Sequence, residues 1–168
     1  MDKLFFPVNL NNTHWYVRSV CMLMNTYVNQ DITLMHALFS LIILNVSLVA
    51  CRSLVVCRMQ EMKIQYYISV GASNPQLLAA TFRYLTEESV TKHGIDLDMS
   101  TWELTSLGIA GCPQQANGYD CGVFLAMFMD LLSDDLELVF NQNDVTQYRR
   151  FLAYSIKNGR LDYPFVKS

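Results

Sequence analysis

Between Cys121 and Leu132 the chain carries Val123, Phe124, Leu125, Met127, Phe128, Met129 and Leu131, and the stretch is almost wholly apolar. A helix of that composition is hydrophobic around most of its circumference, so other elements must cover it on most sides. The remaining sequence can supply the cover. Of 168 residues, 52% are hydrophobic and 16% charged, against roughly 45–50% and about 25% in ordinary domains. A disordered chain, a coiled coil and a polar linker are excluded. The length suits one domain or a piece of a larger one. Lys and Arg number 12 against 15 Asp and Glu, a net charge of −3. A duplex-binding protein neutralises many phosphates and is normally basic, so nucleic acid is not expected as a partner.

Local signals place the other elements. Leu4 to Val8 reads as a short strand that turns at Asn9 to Asn12, and Trp15 to Val20 as a second strand. Ile64 to Ile68 reads as a third, expected to pair with the second across a short hairpin. Asn74-Pro75 opens a helix, with Asn as cap and Pro in the first turn; Leu78, Phe82 and Leu85 follow at helical spacing, and Gly94 ends it. Trp102 to Leu107 reads as a strand. Asp144 is expected to cap a last helix with Val145, Tyr148, Leu152 and Ile156 inward and Asn158-Gly159 at its end. Strands and helices mix without a βαβ rhythm, so the class is α+β.

One stretch does not fit that plan. Ile32 to Cys51 is 20 residues without a formal charge, flanked on one side by Arg52 and Arg58. Three readings are open. It is a buried helix; or it is a membrane anchor with the arginines on the cytoplasmic side, weakened by His36, Ser40, Asn45 and Ser47; or residues from about 26 to 60 are translated non-coding sequence interrupting the domain. The third reading joins the strand ending near Cys21 to the one at Ile64.

The five cysteines, Cys21, Cys51, Cys57, Cys112 and Cys121, are odd in number and irregularly spaced, which is no disulfide framework. His14, His36 and His93 lie far apart, so neither a metal site nor any other cofactor is expected. The cysteine usage, with no secretory signal ahead of the first strand, points to a reducing intracellular compartment, nucleus or cytoplasm.

The chemistry concentrates in Pro113-Gln-Gln-Ala-Asn-Gly-Tyr-Asp-Cys121-Gly-Val-Phe124. Cys121 stands at the mouth of the apolar helix, where free N–H groups and the helix dipole favour a thiolate. Gln115, six residues earlier, can place an amide N–H₂ near the same point to stabilise an oxyanion. A second string is Asn12-Thr-His14-Trp15-Tyr-Val17. A histidine at a strand start can serve as base to a cysteine from another element.

Together these strings resemble the ubiquitin-like-protein-specific cysteine proteases, which process and remove SUMO, NEDD8 and related modifiers. The motifs are His14-Trp15, the Tyr66-Tyr67 strand, Gln-x-Asn-Gly-x-Asp-Cys-Gly from Gln115 to Gly122, and Phe6-Pro7-Val8-Asn9. The likeness covers roughly residues 2–24 and 61–160. It implies an α+β, papain-like cysteine protease fold, N-terminally truncated because only Met1-Asp2-Lys3 precede the Phe-Pro-Val-Asn strand. It implies Cys121 as nucleophile, His14 as general base, Gln115 as oxyanion donor, and Trp15 as a wall of the channel that takes a modifier's Gly-Gly tail. Residues 1–168 are then a partial catalytic domain interrupted at about 26–60.

The family sets Asp directly after the Tyr-Tyr pair; here Ile68 stands there. Isoleucine cannot accept a hydrogen bond from His14. Two other functions therefore stand beside an active peptidase: a catalytically impaired relative that only binds a modifier, and a small membrane protein anchored by residues 32–51.

Overall fold

The computed structural model describes residues 3–9, 52–71, 73–108 and 111–159. His14, Trp15, the strand expected at Trp15 to Val20, and the uncharged stretch to Cys51 lie outside them. Among the described residues are a four-stranded sheet and three longer helices. The strands are β1 (Lys3–Asn9), β2 (Arg52–Arg58), β3 (Lys63–Ile68) and β4 (Glu103–Leu107); the helices are α1 (Pro75–His93), α2 (Cys121–Ser133) and α3 (Val145–Asn158). The order across the sheet is β1-β2-β3-β4.

β2 is the strand the sequence did not announce. It pairs antiparallel with β1, from Lys3 opposite Arg58 to Asn9 opposite Arg52, and antiparallel with β3, from Ser53 opposite Ile68 to Arg58 opposite Lys63. Ser53 to Cys57 are all buried. An apolar run this short, closed by an arginine at each end, is what a strand covered on both faces looks like. The hairpin partner expected for β3 was the strand near Cys21; its actual partner is β2. The interruption expected at about 26–60 meets the described residues at 52–60, and there the chain is an interior strand and its turn. Pro7 is tolerated because β1 has no further neighbour among the described residues.

β3 and β4 run parallel, with α1 as the crossover between them. The sheet is thus mixed and does contain one βαβ unit, which the expected α+β pattern lacked. Helices cover both faces. Leu54, Val56 and Tyr67 face α2 and α3, where Phe124, Met127, Phe128, Tyr148 and Leu152 complete one core. Val55, Cys57, Ile64, Tyr66 and Ile68 face α1, packing with Leu78, Phe82 and Leu85 in a second.

The helix ends follow their sequence signals closely. Asn74 Oδ1 accepts from Leu77 N at 3.0 Å, and Gly94 ends α1 at a φ of 67° that side chains with a Cβ rarely adopt. Gly159 closes α3 in the same way. Two expectations about α3 change. The side-chain cap comes one turn earlier, from Asn141, whose Oδ1 accepts from Asn143 N while Asp144 Oδ2 accepts from Asn141 N. Inside α3, Ser155 is buried and Ile156 is 42% exposed, so the inward face is Val145, Tyr148, Leu152 and Ser155.

α2 lies along β2 with both chains running the same way. At one end Arg52 reaches Gly122. At the other, Lys3 Nζ donates to Leu132 O at 3.1 Å, and Arg58 pairs with Asp135 at 3.0 Å. Cys121 therefore sits at the sheet end where β1 finishes, β2 begins and β3 finishes.

Candidate active site

Cys121 is the first residue of α2 and is 7% exposed. The helix starts here because the Asp120 carbonyl accepts from Val123 N at 2.9 Å and Phe124 N at 3.0 Å. The loop before it is folded on itself by Asn117. Its Oδ1 accepts from Tyr119 N at 3.1 Å and Asp120 N at 3.0 Å, and its Nδ2 donates to Asp120 Oδ2 at 2.6 Å. Such side-chain-to-backbone bonds substitute for the ladder the loop lacks. Tyr119 at the loop tip is 77% exposed.

Gln115 is fixed from β3. Its N donates to Ser69 O at 2.9 Å, and Ser69 Oγ donates to its Oε1 at 2.7 Å. Its Nε2 donates to Asn117 O. A primary amide has two N–H groups, so this bond uses one and leaves the second for another acceptor. Gln114 is fixed alongside, donating from Nε2 to Ile68 O at 2.9 Å and to Cys112 O at 3.0 Å. The Cys112 thiol is buried against Leu107 O, at 3.0 Å, and Ile68 O, at 3.2 Å. Burial pushes it above its ordinary pKa, against the opposing pull of its hydrogen bonds. That keeps it a thiol, in a structural role.

Asp120 is 4% exposed, yet its carboxylate has three hydrogen-bond partners. Besides Asn117 it accepts from Gln142 Nε2 at 2.6 Å and from Arg149 Nη2 at 2.6 Å. Gln142 holds the loop from its other side too, accepting from Ala116 N at 2.7 Å. Burial pushes the Asp120 carboxyl up, but hydrogen bonds from Asn117, Arg149 and Gln142 outweigh it and leave the group below the usual carboxylate range. Arg52 lies over Gly122: a Cβ there would sit 2.6 Å from Arg52 Nη1. Gly122 is what lets that guanidinium approach.

The structure thus brings Gln115 and Cys121 into one loop-and-helix-mouth assembly at the end of β3. Ile68 is present there too, but its side chain is 2% exposed and packs in the α1-facing core. His14 and Trp15 lie outside the described residues. Asn117 and Asp120 lie within the Gln115–Gly122 string, but the sequence assigns them no role. Their spacing, Asn-x-x-Asp ahead of a helix, was the available signal. Gln142 and Arg149 had none, since they lie 22 and 29 residues from Asp120. Among the described residues no cluster of His, Cys, Asp and Glu could hold a metal ion, and no helix is long and apolar enough to cross a membrane.

Residues 1–161 match the sequence model of the Ulp1 protease family, C-terminal catalytic domain. Sentrin-specific protease 2 of Pongo abelii is 32% identical over 109 residues, which is 65% of this chain and 18% of that protein. Ubiquitin-like-specific protease 1A of Arabidopsis thaliana is 34% identical over 104 residues, 62% of this chain and 20% of that one. This chain therefore spans about a fifth of the length of these curated relatives. Among solved structures, the C-terminal Ulp1 protease domain in complex with Smt3, the yeast ortholog of SUMO, superposes with a TM-score of 0.59 at 25% identity, covering 95% of this chain and 53% of that one. SUMO protease Ulp1 with its catalytic cysteine oxidised to a sulfenic acid gives 0.61 at 26% identity, covering 94% and 53%.

Proposed function

The chain belongs to the Ulp1 protease family, and from that premise we propose that it is a cysteine peptidase or isopeptidase that cleaves after the Gly-Gly tail of a ubiquitin-like modifier of the SUMO type. Cys121 is the nucleophile, Gln115 the oxyanion donor, His14 the base, and Trp15 lines the tail channel. The observation that carries this reading is the tethering of Gln115 to Ser69 together with the placement of Cys121 at the mouth of a buried helix.

The chemistry is acyl transfer. His14 takes the proton of the Cys121 thiol, and the resulting thiolate attacks the carbonyl carbon of the last glycine, whose oxygen takes negative charge. The free N–H of Gln115 Nε2 donates to that oxygen. The C–N bond breaks as His14 gives its proton to the leaving amine. Water, deprotonated by His14, then hydrolyses the thioester, releasing the modifier's carboxylate and restoring the thiol. Reach supports the base. β1 ends at Asn9, at the same sheet end as Cys121, and five residues of extended chain span up to about 17 Å.

The test is a SUMO-type modifier carrying a C-terminal electrophile. An adduct mapped to Cys121 by peptide mass spectrometry and lost on Cys121→Ala is the expected result. An adduct that survives that substitution overturns the assignment. A second reading, a relative that binds without cleaving, is favoured by one observation: the residue after Tyr67 is a buried isoleucine that offers no acceptor to a histidine. Modifier binding without any adduct would select it.

A further inference from the structure

The loop before Cys121 carries a buried carboxylate one residue from the thiol. Asp120 adjoins a residue proposed to work as a thiolate, at a helix mouth where its own side chain makes no capping bond. An uncompensated anion there opposes a second anion one residue away. The compensation comes from a different element. Arg149, on the first turns of α3, donates Nη2 to Asp120 Oδ1 at 2.6 Å, while Asn117 and Gln142 take Oδ2. Arg149 is half exposed and Asp120 is not, so the carboxylate is fixed and the cation reaches in to it.

We propose that Arg149 is a positioning residue for Cys121: it neutralises and clamps Asp120, so the loop that carries Gln115 and Cys121 keeps its shape and the thiolate forms beside a compensated charge. This ties the reactivity of the α2 mouth to the docking of α3. The charged groups held at this mouth include Asp120 on its own loop, Arg149 on α3 and Arg52 on β2, with His14 as the base proposed above; β3 contributes the uncharged Ile68 and Ser69. The inference rests on Cys121 being the nucleophile, but its test needs no cleavage.

The test follows carboxamidomethylation of Cys121 by iodoacetamide against pH, resolved from the other cysteines by peptide mass spectrometry. Arg149→Met is expected to move the inflection up by about half a unit to one unit, slowing alkylation at neutral pH by about threefold to tenfold. Asp120→Asn leaves Arg149 uncompensated and is expected to move it down. The double substitution is expected to return it close to wild type, and Arg149→Lys to leave it there. A purely structural role would lower melting temperatures in all of these and leave the inflection alone. An unmoved inflection in Asp120→Asn overturns the proposal even if Arg149→Met does not fold. A chain that shows these shifts but forms no adduct with the modifier probe keeps this inference and loses the proposed function.

Discussion

Gln115 and Asp120 do opposite kinds of work from one loop. Gln115 has its Oε1 occupied by Ser69 and one N–H by Asn117, so a single donor is left for charge that exists only in the transition state. Gln115→Ala is expected to lower kcat by about 10²–10³-fold with KM little changed. Steady-state kinetics on a modifier–fluorophore substrate, read beside a melting curve, checks this; an unchanged kcat at unchanged stability removes Gln115 from the mechanism. Asp120 acts on stability as well. Its folded pKa lies below the unfolded value of about 3.9, so its contribution is complete above that value and is lost as pH falls through the folded one. Arg149 is solvent-accessible and screened, so Asp120→Asn is expected to cost about 1 kcal/mol at pH 7. The gap to wild type should begin to narrow once the pH falls below the unfolded value of about 3.9. Urea unfolding at pH 7 and pH 3 measures it, and a gap that stays constant shows that the carboxylate charge contributes nothing.

At the scale of elements, α2 decides the core. Phe124 is fully buried, with ring centroids 6.3 Å from Phe128 and 5.4 Å from Phe140. Phe124→Ala is expected to cost about 3–5 kcal/mol, since the rings around it cannot all collapse into the space. Denaturant unfolding reads the loss directly. The end of β3 makes a contrasting prediction. Ile68 packs with Leu78 and lies 3.3 Å from where a Cβ on Gly71 would be. Ile68→Asp would place there the carboxylate that the resemblance implies, but in an apolar setting. Burial raises the pKa of such a group, so more protons are bound in the folded state and stability falls as pH rises. The variant is expected to melt well below wild type at pH 7 and to recover part of the loss toward pH 5. Equal melting temperatures at pH 7 would show that the side chain at 68 turns out of the core.

For the whole molecule, the position of β2 governs what the uncharged stretch before it can be. β1 and β2 are hydrogen-bonded neighbours over their full lengths. A single membrane crossing between residues 10 and 51 would leave them on opposite sides of a bilayer, where they could not pair. The anchored-protein reading therefore conflicts with the sheet. The limits of the expected interruption matter for the same reason. A chain lacking residues 26–60 loses β2, leaving β1 and β3 without their shared partner and α2 without Leu54 and Val56. It is expected not to fold, whereas a chain lacking 26–51 is expected to keep a cooperative melting transition. Circular dichroism melts of the two compare them, and a folded 26–60 deletion would show that another segment can replace β2.

What the sequence alone determined were features whose cause lies within one segment. The Asn74 cap, the glycines that end α1 and α3, the β-forming run of β3 and the apolar circumference of α2 each act over a few residues, so each could be read locally. The string from Gln115 to Gly122 was legible for the same reason: nucleophile, amide and turn are close in the chain. Tertiary structure decided what depends on distant partners. Leu54-Val55-Val56 is equally apolar in a helix, a bilayer or a sheet, and becomes a strand because β1 and β3 satisfy its backbone on both sides. Asp120 reads as an ordinary loop carboxylate until α3 delivers Arg149 to it from 29 residues away. No local pattern encodes that pair, because its energy exists only once the loop and the helix have been packed together.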